Sequence, residues 1–187
     1  GDRVYCAVGY ALANVIIVRG DGALVVLDTT ESHDSALQIW QDFKQAVPEL
    51  ADWPVAALVY TRNHSDHING ARAFVDEAEV AAGRTHIIAH STLMKAVADN
   101  ASVVAPILRT RSAYSFGSML PSGPQGTVSA GIGPKLIGGA VSFLPPTLTF
   151  DDTLDITLAG LRFEFRHAPS ETDDELVAWV PELGVLL

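Results

Sequence analysis

Val55-Ala56-Ala57-Leu58-Val59-Tyr60-Thr61-Arg62-Asn63-His64-Ser65-Asp66-His67-Ile68-Asn69 decides the reading of this chain. Its first six residues are an uninterrupted apolar run, the mark of a strand buried on both faces. The nine that follow place two imidazoles and a carboxylate within four residues, His64 to His67, on the loop that leaves the strand. Neutral imidazole nitrogen and carboxylate oxygen are the donors that Zn²⁺ takes at about 2.0–2.2 Å. Donors so densely placed converge on an ion only if the backbone turns sharply after the strand. The competing reading is a polar loop whose histidines cap a helix or bond to main chain. H-x-D-H at a strand exit favours the metal.

A second stretch, His167-Ala168-Pro169-Ser170-Glu171-Thr172-Asp173-Asp174-Glu175, precedes the apolar Leu176-Val177-Ala178-Trp179-Val180 and a closing Val185-Leu186-Leu187. Together the two stretches resemble the metallo-β-lactamase fold. The first is similar to its H-x-H-x-D-H signature, the second to the loop where a strand ends in a Pro-containing turn with a further ligand. Most of that superfamily has a histidine at this second place. Here it is Glu171, as in the zinc-dependent alkylsulfatases, and residues 109–117, 120–126, 130–133 and 144–150 resemble the same branch.

The resemblance implies an α/β protein with the metallo-β-lactamase-like αββα sandwich, of which this chain is the N-terminal portion, truncated at its C-terminal end. It implies a hydrolase that cleaves sulfate esters with a zinc-activated water. His64, Asp66, His67 and Glu171 become the metal ligands, with Asp28 and His167 standing behind them. Asp66 and Arg62 are assigned to catalysis, and Arg109, Arg111 and Tyr114 to substrate. The cofactor is Zn²⁺, one ion or two. A hydrolase of another ester, lactam or phosphoester is the alternative, since fold does not fix substrate.

One position departs from the family. The first histidine of H-x-H-x-D-H falls on Arg62. A guanidinium stays protonated and has no lone pair for zinc. The first metal thereby loses a ligand, while Asp66 and His67 still serve the second. Two consequences stay open: Arg62 mimics the lost cation in a metal-binding paralogue without activity, or it clamps an anionic substrate beside a single zinc. In the family an acidic ligand follows the position of Leu187, and a last histidine, a helical dimerisation region and a C-terminal domain come later. The expected partners are therefore the remainder of the same protein chain, a second copy through that region, and a small sulfate ester. Residues 1–187 alone are expected to turn over little, because incomplete coordination holds metal weakly.

At 187 residues the expectation is a single domain, large enough to bury a real core. Net charge −10 excludes nucleic acid, whose backbone demands clustered Lys and Arg. No window reaches the roughly 18 apolar residues of a membrane-spanning helix. No basic n-region with an apolar h-region opens the chain, so any signal peptide has been removed or never existed. Cys6 is the only cysteine, so no disulfide forms within it and periplasmic, secreted and cytoplasmic locations all stay open. Charge is unevenly spread: between Asn100 and Phe150 there is no Asp or Glu, although the chain carries 22. That stretch holds Arg109, Arg111, Lys135 and seven of the 15 glycines. Exposed N–H groups and guanidinium forks without competing carboxylates suit an anion such as sulfate. A neutral loop packed against a partner has the same composition.

The rest of the chain orders itself around the ligand loop. Residues 4–9, 14–18 and 23–28 read as strands, with Arg19-Gly20-Asp21-Gly22 a hairpin signal. Ser32 caps a helix carrying Ala36, Leu37, Trp40, Phe43 and Val47 at helical spacing, and Pro48 lies past its end. A short helix over 71–76, a strand over 85–89 and a helix over 92–98 come next. Residues 105–146 form a Gly/Pro-rich insertion, too long for a structureless loop unless it covers a site. Strands over 154–158, 161–166 and 176–180 close the reading. His33, His86 and His90 are taken as surface or packing residues away from both ligand loops, and Asp173, Asp174 and Glu175 as an acidic cluster that is either a solvated face or lends one hydrogen bond to a ligand.

Overall fold

The computed structural model describes residues 2–102, 104–134, 136 and 138–187. Its mixed sheet has the order β1 (Val4–Ala7), β2 (Val15–Arg19), β3 (Leu24–Leu27), β4 (Val55–Val59), β5 (His86–His90) and β6 (Leu148–Phe150). The first three strands form an antiparallel meander, and β3 to β6 run parallel. The antiparallel second sheet has the order β10 (Val185–Leu186), β9 (Leu176–Val180), β8 (Leu161–His167) and β7 (Thr153–Leu158). Helices, mixed sheet and second sheet stack in the order of the expected αββα sandwich. Among the described residues, no helix is long and apolar enough to cross a membrane.

Alternation assigns the two faces of the mixed sheet. Leu24, Val26, Leu58, Tyr60 and Ile87 pack toward the helices, while Val25, Leu27, Ala57, Val59 and Ile88 meet the second sheet. Strands buried on both faces must be apolar throughout, which is why the run before the ligand loop is unbroken. On the helix side, α1 (His33–Ala46) starts at Ser32, whose Oγ accepts from Ser35 N at 3.2 Å. Its buried stripe is Ala36, Ile39, Trp40 and Phe43; Leu37, expected inside, is exposed, because Ile39 completes the i, i+3, i+4, i+7 face. On the other side Phe163 and Phe165 stack and fill the gap between the sheets.

The expected helix over 71–76 is a 3₁₀ turn, Ala71–Ala73, followed by α3 (Glu77–Ala81). Asp76 divides them by accepting from Ala78 N at 2.8 Å as an N-cap. After α4 (Leu93–Ala101), the insertion opens with α5 (Ala105–Ser115), which has Pro106 in its first turn and no buried residue. β6 was not anticipated. It is three residues long and gains its place by pairing with β5, a partner 60 residues earlier.

Close approach fixes Gly70, which follows α2 (Ser65–Ile68). A Cβ there would collide with the Thr29 carbonyl and the Ala36 methyl. Gly70→Ala should therefore lower stability by about 1–3 kcal/mol or more, read from the denaturation midpoint. Phe163→Ala, which empties part of the inter-sheet layer, should cost about 3–5 kcal/mol in the same measurement.

Candidate functional site

The site begins with Asp28, the residue after β3. Its N–H donates to Val59 O at 2.8 Å, and its φ of +60° lies in the left-handed region that non-glycine residues seldom adopt. That backbone turns the carboxylate toward the end of β4. One oxygen accepts from Thr61 N at 2.8 Å; the other accepts from Thr61 Oγ1 at 2.8 Å and from His67 Nδ1 at 2.6 Å. The loop closes through His67 N to His64 O at 3.0 Å, while His67 O accepts from Thr29 N and Thr29 Oγ1. His64 stands at the N-cap of α2, but its ring makes no capping bond. The capping explanation of these histidines fails.

Pinning Nδ1 leaves His67 Nε2 buried and without a hydrogen bond; Asp66 Oδ2 is 3.4 Å away but out of line for one. Burial favours the neutral ring, yet the Asp28 carboxylate and then Asp66 outweigh it and raise the His67 pKa to about 9. Burial also opposes ionisation of Asp66, and its neighbour His67, with His64 further off, reverses this and lowers its pKa. An imidazole held by a carboxylate at one nitrogen, with the other free beside a second carboxylate, suits a metal ligand. Asp66 and His67 supply two donors. Among the described residues, no three His, Cys, Asp or Glu side chains come together closely enough to hold an ion.

The second loop, residues 168–175, leaves β8 and lies against the first. Leu176 N donates to Thr61 O at 3.0 Å, joining the loops through main chain. Asn63 Nδ2 donates to Asp174 Oδ1 at 2.5 Å, and Asn100 Nδ2 to Asn63 Oδ1 at 2.9 Å. Arg62 reaches Glu171 Oε2 at 2.8 Å and Glu175 Oε1 at 3.2 Å. Glu171 Oε1 stands 3.6 Å from His64 Nδ1, although 107 residues separate the two. Glu175 also accepts from Ser170 Oγ and Glu171 N. Burial resists its charge, but Ser170 and Arg62 prevail and lower its pKa.

Of the acidic cluster only Asp173 is a solvated face. Asp174 is 1% exposed, with Oδ2 unpartnered, because Asn63 draws it inward, and Glu175 turns to Arg62. Arg62 spends both outer nitrogens on carboxylates, so a substrate anion must compete with them. His90 is a packing residue, as expected, but it does not lie away from the ligand loops. It is buried, stacks on His167 with ring centroids 4.0 Å apart, and lines with His64, His167, Asn63 and Asp174 a cleft of about 550 Å³. The signal was available: His90 shares a strand face with Ile88 and ends a parallel strand beside β4, where α/β folds place their sites. His167 Nε2 donates to the Asp173 carbonyl oxygen at 2.6 Å.

Arg109, Arg111 and Tyr114 lie on α5 with their side chains exposed, and no described hydrogen bond or ion pair ties them to either ligand loop. Lys135 lies outside the described residues.

Residues 8–187 match the metallo-beta-lactamase superfamily. A linear primary-alkylsulfatase of Pseudomonas sp. (strain ATCC 19151) is 42% identical over 171 residues, 91% of this chain and 32% of that protein. Alkyl/aryl-sulfatase BDS1 of Saccharomyces cerevisiae is 31% identical over 187 residues, 99% of this chain and 28% of that protein. The chain thus spans a third or less of the length of these relatives. The structure of the stereoselective inverting sec-alkylsulfatase Pisa1 from Pseudomonas sp. superposes with a TM-score of 0.90 at 28% identity, over 100% of this chain and 29% of that one. A metallo-beta-lactamase from Pontibacter korlensis, 16% identical, superposes with a TM-score of 0.60 over 100% of this chain and 66% of that one, a likeness of fold alone. Matched over nearly its whole length, the chain belongs to the metallo-β-lactamase superfamily and aligns with the N-terminal part of a longer alkylsulfatase.

Proposed function

We propose that the protein is a metal-dependent hydrolase of sulfate esters whose active site is the cleft between the two ligand loops. The observation that carries this is His67: a buried imidazole fixed at Nδ1 by Asp28, with Nε2 unbonded beside Asp66. His67 Nε2 and Asp66 would hold the ion, zinc by the chemistry of the donors, and His64 and Glu171 face each other across the same cleft. When bound, zinc supplies a water with a pKa near 7, hence hydroxide close to neutrality. The chain's own residues do the positioning. Asp28 fixes the His67 ring and, through Thr61, the start of its loop. Arg109, Arg111 and Tyr114 are proposed to receive the anionic end of the substrate, in a stretch with no competing carboxylate. The alkylsulfatase names of the relatives support sulfate esters over lactams or phosphoesters.

A second reading, a metal-binding protein without turnover, is favoured by one observation: Arg62 lies between Glu171, which faces His64, and Glu175, and cannot serve as a ligand. The complete protein, loaded with zinc, should release sulfate from a linear primary alkyl sulfate, lose that activity to a chelator and regain it with zinc. Zinc retained without sulfate release from primary or secondary alkyl sulfates would establish the second reading instead. Asp28→Asn should weaken zinc binding about 10–100-fold in calorimetry while the fold is kept, because the amide cannot hold the imidazole as a carboxylate does. Unchanged affinity would remove Asp28 from the site.

A further inference from the structure

We propose that the Arg62 guanidinium is a built-in cation that fills the place between Glu171, which faces His64, and Glu175, so that the protein takes metal at its Asp66–His67 end alone. The inference rests on the metal reading of the cleft and not on the identity of the substrate. Two carboxylates bracket this one side chain, and an imidazole stands against one of them. NH2 lies 2.8 Å from Glu171 Oε2, NH1 lies 3.2 Å from Glu175 Oε1, and His64 Nδ1 stands 3.6 Å from the other Glu171 oxygen. The guanidinium thus engages two carboxylates, one of them facing His64, which are donors of the kind a divalent ion takes. The carboxylates are already neutralised in part by a charge that offers no lone pair and repels a second cation.

The placement of Arg62 is fixed from both sides in sequence. Thr61 is tied to Asp28 through N and Oγ1 and to Leu176 N through its carbonyl. Asn63 is tied to buried Asp174 and to Asn100. Between two such anchors the backbone of residue 62 cannot turn away, and its side chain is only 19% exposed. The same charge does structural work that an ion would otherwise do. Glu171 and Glu175 sit four residues apart on one short loop, where like charges repel unless a cation lies between them. The second ligand loop is therefore ordered before any metal arrives.

The test is zinc stoichiometry by equilibrium dialysis and elemental analysis on the complete protein, beside limited proteolysis of its metal-free form. The wild type should hold close to one zinc per chain, and Arg62→His, which removes the fixed charge and adds an imidazole donor, close to two. In the metal-free proteins, cleavage within residues 168–175 should be slow in the wild type and several-fold faster in Arg62→His, with zinc restoring protection to the variant. Two tightly held zinc ions in the wild type would overturn the inference and leave the hydrolase reading standing. So would a folded Arg62→His protein that still holds one. No zinc in either protein would overturn the metal reading itself. If the variant does not fold, the wild-type stoichiometry decides alone.

Discussion

Everything at the cleft depends on one carboxylate held in an uncommon backbone conformation. Asp28 leaves β3 at φ +60°, which aims its side chain across the end of β4 rather than along it. From there it takes three hydrogen bonds, two from Thr61 and one from His67, and so sets both the first residue of the ligand loop and its last imidazole. A strained φ costs of order 1–3 kcal/mol and persists only where surrounding contacts over-determine it. Here they do: Asp28 N bonds to Val59 O and the next residue, Thr29, bonds to His67 O.

The second condition is electrostatic. The cleft gathers Asp28, Asp66, Glu171, Asp174 and Glu175 into a small volume, against Arg62 and the histidines. Buried or half-buried charges need pairing and hydrogen bonds, and Asp28 finds them in His67 and Glu175 in Arg62 and Ser170, while buried Asp174 has only the Asn63 amide at Oδ1 and leaves Oδ2 without a partner. Each carboxylate thus has a fixed direction. A site assembled from distant segments gains its geometry in this way, since neither loop has regular structure of its own beyond the single turn of α2.

Much of this was legible in the chain itself, and what was not has identifiable causes. The unbroken run 55–60 announced a strand buried on both faces, and it lies parallel between β3 and β5. Ser32 and Pro48 marked the limits of α1 because caps and helix breakers act locally. Nothing local announced β6, whose three residues follow two prolines and are strand only by pairing with β5. Helix α5 was hidden for a different reason: it buries no face, so it has no apolar stripe to read. Asp174 resembled any surface acid until its partner Asn63, 111 residues earlier, was placed beside it. His90 depended on which sheet its strand would face. The opposition of His64 and Glu171 came from the resemblance of the second loop; no periodicity spans such a distance.

The bond from Leu176 N to Thr61 O has a consequence for how such a site changes over time. It joins the two sheets at the floor of the cleft through main-chain atoms alone, so substitution at either residue, proline at 176 excepted, leaves donor and acceptor in place. The side chains above it are free to drift. Exchange of an imidazole for a guanidinium, or of a ligand for a spectator, alters what the cleft holds without parting its walls. Inheritance of the scaffold is thereby uncoupled from inheritance of the cleft's side chains, and a lineage can exchange these one residue at a time while remaining folded.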